Sequence, residues 1–434
     1  MLIYTTSSTV RLKYTLDLVF NGILGIDYTL THNADDFSFY TGAKLNYSET
    51  AIGSELFIFA TKLLFQKGIK SQEISVFDWG ETKAFFATHP RYALPFDPFA
   101  AIFYMVTRYE EYLPHKGDAH QRFDALESLA YRKGFLQQPV VDIYAYKLRD
   151  LLQQYYPEMS FPGRRYRYIS TLDIDNAWAF KEKGIIRNGG ALLRSLLRFE
   201  FPKIIERLAV LMERKKDPYD TYDQLNAIQQ EFNIHCIYFF LLGDYGINDK
   251  NVSATRKNFQ SLIKSIADYN EVGIHPSYAS NTDPGRLRME QYRLQKIVRR
   301  EIMRSRQHFL KLEFPITYRN LLDCDISDDY TMGFAAEPGF RAGTCTTYQF
   351  YDLDRESVTP LRIHPFMAMD ATFKYYKKIR PEEVLGYVQP LIRSVKAVEG
   401  TFISLWHNES IGNHPPWDGW SDVYREVVRA ASSS

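Results

Sequence analysis

Two carboxylates stand one residue apart where an apolar stretch ends, in the sequence YRYISTLDID that begins at Tyr166. Side chains alternate along an extended chain, so Asp173 and Asp175 project to the same side of it. Carboxylates this close repel each other unless a cation or hydrogen-bond donors compensate their charge. The pair is therefore typical either of a site for metal or proton-transfer chemistry or of an Asx-rich turn after a strand.

Further along the chain, other apolar segments of strand type end in side chains that can bind a metal or transfer a proton. The run from His235 to Gly243 is almost continuously apolar, as expected of a strand buried on both faces of a parallel sheet. The polar residues that end the later segments are His275, Arg306, His308 and His407. Because the carboxyl ends of parallel strands lie at one edge of a sheet, the pattern predicts a single shared site.

The elements that must position these side chains divide the chain in two. Strands alternate with helices over residues 165–434, which predicts an α/β fold with a distorted (β/α) barrel, complete or incomplete. Residues 1–160 contain shorter strands and helices and predict a smaller α/β domain, whose role the sequence does not indicate. The segment YYPEMSFPGRR, which begins at Tyr155, contains two prolines and a glycine and marks the expected boundary.

The composition is that of an ordinary globular protein and excludes several function classes. The chain has 434 residues, 45% of them apolar and 24% charged, with a formal net charge of +1. This balance gives no reason to expect nucleic acid as a partner. The chain also lacks an apolar run of the ~20 residues that a membrane span requires. The three cysteines are scattered and the first residues lack the features of a signal peptide, so we expect a cytoplasmic protein.

Residues 176–219 interrupt the strand–helix alternation where a short loop would suffice. Between Lys181 and Lys216 the segment carries ten lysines and arginines against four glutamates. Its leucines and isoleucines recur at helical spacing, which predicts a basic helical hairpin over the mouth of the site. Three roles for it remain open: a lid, a docking surface for an anionic glycan carrier, and a solvated amphipathic layer.

With these residues in place, the region from about residue 165 to 410 resembles the polysaccharide deacetylase (NodB-homology) family, which removes N-acetyl groups from amino sugars on a distorted (β/α) barrel. TLDID, which ends at Asp175, is similar to the first motif of the family, and EVGIH, which ends at His275, to the second. Arg306-Gln-His308 takes the place of the third motif, and ISLWH, which ends at His407, that of the last. The arrangement, with GFRAGT at Gly339–Thr344, looks most like a Bacteroidetes-type group in which an α/β domain of unknown function precedes the barrel.

The resemblance implies a role for each motif residue. The implied catalytic residues are Asp173 as general base, His407 as general acid, and Arg306 or Arg341 as the cation that keeps Asp173 ionised. The implied metal ligands are Asp175 and His275, and zinc is the divalent ion that we expect, although other ions would also suit. Trp406 and Tyr278 are candidate faces for stacking on a sugar ring, with core packing as the alternative.

One departure from the family pattern bears on the metal. Ala279 stands where the family has its second histidine ligand, four residues after His275. His308 stands where the family usually has proline, and on a strand it would share a face with Arg306. We therefore expect His308 to supply the missing imidazole, with His364 as its nearest competitor. The alternative is that metal binding has been lost and that His308 only makes hydrogen bonds.

These residues predict a metal-dependent hydrolase that removes an acyl group, above all acetyl, from the amine of a sugar in a polysaccharide or glycan precursor. Two other functions remain open. A degenerate protein of this fold would bind a glycan or a partner without turnover, and a hydrolase of the same chemistry would act on an amide that is not part of a sugar. The expected partner is an N-acetylated carbohydrate, and contact with a membrane periphery or a lipid-linked glycan also stays open.

Overall fold

Residues 1–433 are described by the computed structural model, and two main sheets organise them. The strands of the N-terminal region are β1 (Leu2–Tyr4), β2 (Thr29–Thr31), β3 (Lys44–Ser48), β4 (Leu56–Phe59), β5 (Phe77–Trp79) and β6 (Thr82–Ala84). Its helices are α1 (Val10–Leu16), which continues as a π-helical stretch (Asp17–Leu24), α2 (Ala34–Phe39), α3 (Pro98–Val106), α4 (Leu129–Arg132) and α5 (Val140–Tyr155). The first four strands form a parallel sheet in the order β2-β1-β3-β4, and β5 pairs with β6 alone.

The C-terminal region alternates strands and helices, as the sequence predicts. Its strands are β7 (Arg167–Ile174), β8 (His235–Phe240), β9 (Glu271–Ile274), β10 (Arg304–Ser305), β11 (Asp328–Asp329), β12 (Tyr348–Asp352), β13 (Ser357–Ile363), β14 (Ala368–Met369) and β15 (Thr401–His407). Its helices are α6 (Gly184–Leu197), α7 (Phe201–Leu211), α8 (Tyr222–Phe232), α9 (Lys257–Ala267), α10 (Pro284–Val298), α11 (Ile316–Leu322), α12 (Pro381–Ala397) and α13 (Trp420–Ser432). The mixed α/β class of the prediction is thereby confirmed.

The strands of the C-terminal region form one sheet, which remains open. Their order is β12-β13-β11-β10-β9-β8-β7-β15-β14, and every pair is parallel except β12 with β13. Among residues 1–433, the terminal strands β12 and β14 do not pair with each other, so the barrel that the sequence predicts is not closed. The strand β14 at one end has only two residues and offers few hydrogen-bonding groups for closure.

The register of the central strands brings their polar ends to one level. In the parallel pair β7 and β15, Asp173 lies opposite His407. On the other side of β7, Asp173 lies opposite Phe239 of β8. Because the side-chain period of a strand is two residues, this register decides which residues of neighbouring strands face the same way. The strand β8 is buried along nearly its whole length, which fixes it at the centre of the sheet.

The N-terminal region packs on the nine-stranded sheet through apolar and polar groups. One hydrophobic cluster contains residues of both regions, and Tyr351 packs against both Tyr14 and Phe103, with ring centroids 5.0 and 5.2 Å away. The buried carboxylate of Asp142 accepts hydrogen bonds from the Thr344 hydroxyl and the Cys345 backbone N–H, at 2.7 and 3.0 Å. The two regions therefore share a core.

The inserted segment at residues 176–219 is mainly helical, as the sequence predicts, and consists of the antiparallel helices α6 and α7. Its base is held at the carboxyl edge of the sheet. The carboxylate of Asp217 accepts backbone N–H bonds from residues 179–181. The Asn408 side chain, directly after β15, donates to the carbonyls of Asn176 and Tyr219. No helix among residues 1–433 combines the length and the apolar character that crossing a bilayer requires.

Candidate active site

The ends of β7 and β9 bring two aspartates and one histidine together. His275 Nε2 lies 3.2 Å from Asp175 Oδ1 and 3.7 Å from Asp173 Oδ2. Gly273 lets β9 pack closely between β8 and β10, because a Cβ at this position would lie 2.6 Å from the Phe239 ring and 2.8 Å from the Arg304 carbonyl. The three side chains lie at one edge of the sheet, where the sequence predicts them.

His308 reaches the site by a different route from the one that the sequence suggests. The strand β10 ends at Ser305, and residues 308–310 form a short 3₁₀ turn in which Phe309 has a φ of 60°. The expectation that Arg306 and His308 share a strand face is therefore wrong. The His308 backbone N–H instead donates to the carbonyl of Pro276, which aims the ring at the same point. His308 Nε2 lies 3.4 Å from Asp175 Oδ2.

The competing histidine lies elsewhere. His364 Nε2 is 2.7 Å from Asp328 Oδ1, its Nδ1 contacts the Thr347 hydroxyl, and its ring stacks on Tyr330 with centroids 4.3 Å apart. Among residues 1–433, the group that could hold a metal ion is Asp175, His275 and His308. The structure thus brings together the three ligands that we expect from the sequence.

Both imidazoles are fixed by a hydrogen bond from the nitrogen that faces away from Asp175. His275 Nδ1 donates to the carbonyl of Arg306 at 2.5 Å. His308 Nδ1 donates to the carboxylate of Asp249 at 2.8 Å. Backbone carbonyls and carboxylates are the usual partners that orient metal-binding histidines. Each ring therefore directs Nε2 toward Asp175.

The donor set fits a divalent ion. The ligand atoms of the three residues all lie within 4.8 Å of one another. Two ligands of a tetrahedral zinc ion with bonds of about 2.0–2.2 Å stand roughly 3.3–3.6 Å apart, close to the separations around Asp175. Asp175 Oδ1 is buried and has no hydrogen-bond partner among residues 1–433, as expected of an oxygen that awaits a cation. Two nitrogens and one oxygen leave positions open for water and substrate.

The charges of the ligands are strongly coupled. Burial alone would raise the pKa of Asp175, but the facing His308 and His275 lower it well below its usual value. Burial would lower the pKa of His308, whereas Asp175 and Asp249 raise it to about 9. An imidazole must be neutral to bind a metal, so metal binding near neutral pH would release a proton from this cluster.

Asp173 has a buried cation as its partner. Arg306 Nη1 donates to Asp173 Oδ1 at 3.0 Å, and its Nε donates to the carbonyl of Tyr330 at 3.0 Å. Its guanidinium lies over the Phe239 ring, 4.7 Å from the centroid. Both members of the ion pair are buried, so the pair holds the carboxylate in one orientation.

Arg341 does not take part in this pair. Its Nε and Nη2 donate to Glu111 at 2.9 and 2.6 Å, and its Nη1 donates to the carbonyl of Gly333. Glu111 also accepts from Arg108 at 2.7 Å, and Arg108 donates to the buried Glu110 at 2.8 Å, so two carboxylates balance the two arginines. The expectation that Arg341 assists Asp173 is therefore corrected: its partner lies in the N-terminal region, and Arg306 is the cation beside Asp173.

His407, at the end of β15, is held by Asp370. Its Nδ1 is 2.7 Å from Asp370 Oδ1, and its backbone N–H donates to Asp370 Oδ2 at 2.9 Å. Burial would lower the pKa of His407, but Asp370 above all raises it well above its usual value. This shift favours the protonated form of the ring, whose Nε2 lies 3.9 Å from Asp175 Oδ2.

These groups face one cavity of about 260 Å³. The N-terminal region contributes Arg122 to its polar surface, and the other polar lining residues are Asp173, Asp175, His275, Gln307, His308, His407 and Glu409. The apolar wall consists of Phe309, Leu310, Ala335, Met369, Ala371, Tyr375, Tyr376, Leu405 and Trp417. The candidate stacking residue Trp406 is not part of this wall, because it is buried and packs on Tyr424. The other candidate, Tyr278, packs on His120 and Phe309 next to the cavity.

Four residues of the site were not indicated by the sequence. Asp249 orients His308, and Asp370 orients His407. Glu409 lines the cavity, and Arg122 reaches it from the N-terminal region. Burial above all raises the pKa of Glu409. Asp370 follows the short strand β14, so an aspartate directly after a strand was the one signal available. Asp249 and Arg122 lie in loops that carry no comparable signal.

Comparison with known proteins gives a family for the N-terminal region. Residues 1–157 match a family described as a family of unknown function (DUF7033). No curated protein sequence matches the chain. The expected relation to a Bacteroidetes-type group therefore stays a prediction.

Several solved structures are similar to about three fifths of the chain. A candidate polysaccharide deacetylase from Mycobacterium smegmatis has 15% identity and a TM-score of 0.41, over 63% of this chain and 87% of that chain. Puue allantoinase has 11% identity and a TM-score of 0.41, over 63% and 86% of the two chains. A CE4 family pseudoenzyme from Bacillus anthracis has 11% identity and a TM-score of 0.28, over 61% of each chain. At these scores the function has to be argued from the site itself.

Proposed function

We propose that this protein is a metal-dependent hydrolase that removes an N-acetyl group from an amino sugar. One observation carries the proposal: a three-residue ligand set, a carboxylate held by an arginine and an imidazole held by an aspartate all face the same cavity. A zinc or similar ion held by Asp175, His275 and His308 would supply a Lewis acid for the amide carbonyl. The remaining steps belong to the side chains of the chain itself.

Asp173 is the proposed general base. Its Oδ1 is bound by Arg306, so its Oδ2 faces the candidate ligands, 3.7 Å from His275 Nε2. From this position the carboxylate can accept a proton from a water molecule that attacks the amide carbon. Because the ion pair is buried, the carboxylate needs no reorientation before it acts.

His407 is the proposed general acid. Asp370 keeps the ring protonated and occupies Nδ1, which leaves the Nε2 proton for transfer. Amide hydrolysis requires that the departing amine nitrogen gain a proton as the C–N bond breaks. Asp173 and His407 lie opposite each other in register, so a substrate amide between them meets the base on one side and the acid on the other.

The substrate class rests on the motifs and on the cavity wall. The deacetylase motifs imply an N-acetylated amino sugar, and the wall contains two partly exposed aromatic rings, Tyr375 and Tyr376. An aromatic ring with one open face suits the apolar face of a sugar ring, with its hydroxyl groups turned toward polar partners. Arg122 lies on the same wall and donates to the Tyr376 hydroxyl at 3.1 Å.

A second candidate function is binding of a glycan without turnover, and one observation favours it. With a pKa of about 9, His308 is protonated at neutral pH and pairs with both Asp175 and Asp249. The protonated imidazole therefore offsets part of the negative charge of the two carboxylates without an ion. In such a protein the cavity would keep its shape, and the ligand set would be only a buried ion-pair network.

Metal content and acetate release together test the proposal. The purified protein should contain about one equivalent of divalent metal and release acetate from an N-acetylglucosamine oligosaccharide. Asp173→Asn should keep the metal and lose at least about a hundredfold in rate, because it removes only the base. Asp175→Asn and His308→Gln should lose both the metal and the activity.

His364→Gln is the matched control, because His364 has an aspartate partner like His308 but lies outside the cluster. It should keep both metal and activity. Equal metal content in Asp173→Asn and Asp175→Asn would contradict the assigned roles. A wild-type protein that binds the oligosaccharide, but neither takes up zinc nor releases acetate, would establish the second candidate instead.

A further inference from the structure

The helices α6 and α7 turn most of their large apolar side chains outward. The most exposed are Ile185 at 92%, Ile186 at 91%, Phe199 at 77%, Leu197 at 72% and Ile205 at 68%. Leu193, Leu196, Phe201, Leu208, Leu211 and Met212 are exposed as well, and we call this whole set the hairpin face. Soluble monomers rarely leave so much apolar surface uncovered in one segment, so the hairpin face marks a site of interaction.

The spacing of the exposed residues gives each helix an apolar stripe. In α7, Phe201, Ile205 and Leu208 recur at intervals of four and three residues. In α6, Ile186, Leu193 and Leu197 recur at intervals of seven and four residues. These intervals keep the side chains on one side of a helix. Both helices are therefore amphipathic, and their apolar stripes are not covered by the fold.

The same segment is far more positive than the molecule as a whole. Ten lysines and arginines stand against four glutamates between Lys181 and Lys216, in a chain whose net charge is +1. Two of the glutamates, Glu200 and Glu206, pair with Lys203 and Lys215. Arg194, Arg198 and Arg214 are exposed and form no ion pair with residues 1–433. The hairpin therefore offers free cations beside its apolar stripes.

We propose that the hairpin docks on the surface of an anionic lipid bilayer. A strongly amphipathic helix with apolar residues on one face and lysines and arginines on the other is typical of helices that lie in the headgroup layer. Helices of 14 and 11 residues are too short to cross a bilayer, which requires about 20 residues. A second copy of the chain is a poorer occupant, because a symmetric interface would place the same positive charges against each other.

Docking would hold the cavity beside the lipid surface. The base of the hairpin is fixed by Asn408, and the next residue, Glu409, lines the cavity. Among residues 1–433, none of the side chains of the hairpin lines the cavity itself. The role that we propose for the segment is therefore attachment to the lipid surface and not closure of the cavity. Access to a sugar carried on a lipid would follow, and that step rests on the proposed function, whereas the docking does not.

Sedimentation with vesicles tests the docking. The full chain is mixed with vesicles of phosphatidylcholine, either alone or with phosphatidylglycerol. We expect binding to the anionic vesicles only, and release as the salt concentration rises. The double variants Ile186→Ser with Leu197→Ser, and Arg194→Glu with Arg198→Glu, should each lower the partition coefficient about tenfold or more.

Phe39→Ser is the matched control, because Phe39 is 84% exposed but lies in the N-terminal region. It should sediment like the wild type, and all variants should keep the wild-type circular dichroism. Equal sedimentation of the wild type and the apolar double variant overturns the proposal. A dimer that Ile205→Ser dissociates, without vesicle binding, also overturns it in favour of a second copy. Acetate release from a soluble oligosaccharide reports the proposed function separately and should be unchanged in the hairpin variants.

Discussion

The N-terminal region and the α6–α7 hairpin are both additions to the nine-stranded sheet, yet they treat their apolar and charged groups in opposite ways. The N-terminal region buries them: it shares a hydrophobic cluster with the sheet, and Glu111 lies enclosed between Arg108 and Arg341. The hairpin leaves apolar residues and arginines exposed. The N-terminal region packs most of its apolar groups into the shared core, whereas the hairpin face is left to the partner that we propose.

The difference also separates two contributions to the site. The N-terminal region supplies a side chain of the cavity wall, Arg122, which pairs with Asp118 and contacts Tyr376. The hairpin supplies none of the lining within residues 1–433, although its base adjoins the rim. The first region should therefore affect stability and substrate affinity, and the second should affect only where the protein acts.

Removal of the buried bridge in the N-terminal region should have the largest effect. Glu111→Ala removes the carboxylate that Arg108 and Arg341 share, which leaves the buried Arg341 without an acidic partner and Arg108 with Glu110 alone. We expect the free energy of unfolding to fall by about 3–5 kcal/mol in urea denaturation followed by circular dichroism. In the control Asp78→Ala, loss of the exposed pair with Lys83 should cost less than about 1 kcal/mol. Similar losses of unfolding free energy in Glu111→Ala and Asp78→Ala would show that the buried bridge is no more important for stability than an exposed ion pair.

The next effect concerns the helix α10, which belongs to neither addition, and depends on pH. Burial raises the pKa of Glu290 to about 7, although hydrogen bonds from Ser277 oppose the shift. The folded state then holds a proton that the unfolded state has already lost, so this contribution is complete below about pH 4.5 and disappears as the pH rises through 7. Glu290→Gln should remove up to about 3 kcal/mol of this pH dependence. If the free energy of unfolding of Glu290→Gln changed between pH 4.5 and 7 as much as that of the wild type, Glu290 would not be the group responsible.

A smaller effect is expected for Arg122→Ala, which tests the catalytic contribution of the N-terminal region. The side chain lines the cavity but does not contact Asp173 or His407 through its hydrogen bonds, which go to Asp118, Phe309 and Tyr376. Loss of this side chain should weaken binding of the substrate and of the transition state equally, so KM should rise about tenfold with little change in kcat. Steady-state acetate release measures both constants, with Arg91→Ala as an exposed control. A fall in kcat alone would place Arg122 closer to the chemistry.

The smallest effect should come from the hairpin. Leu197→Ser alters a side chain that is mostly in solvent, so the free energy of unfolding should change by less than about 0.5 kcal/mol. Thermal and urea denaturation in the absence of lipid measure this change. A loss of several kcal/mol would show that the hairpin face is covered in solution, and the contrast between the two additions would then disappear.

The sequence predicts the site best where strand geometry decides the outcome. Asp173, Asp175, His275 and His407 end strands of one parallel sheet, so their convergence follows from alternation and register. His308 is predicted at the site on the ground of a shared strand face, but a turn beyond β10 brings it there. His308 thus lies at the site as expected, although it lies in a turn and not on a strand.

The remaining features depend on contacts between distant parts of the chain. Arg341 lies within the motif-like segment Gly339–Thr344, yet Glu111, 230 positions away, determines where its guanidinium points. Asp249 binds His308 from a loop 59 positions away. Periodicity and spacing report on neighbours along the chain and carry no information about such pairs. The opening of the sheet is equally hidden, because it depends on how the short strand β14 ends the strand order.

The three candidate ligands lie on separate segments: Asp175 follows β7, His275 follows β9, and His308 lies in the turn after β10. An ion bound by all three would act as a cross-link that ties these segments at the edge of the sheet, in addition to the packing beneath them. Chelation would release that constraint, so the melting temperature should fall without metal and rise with the logarithm of its free concentration. The proposed metal site would then also stabilise the fold. In a cell short of metal, the protein would then lose stability as well as activity.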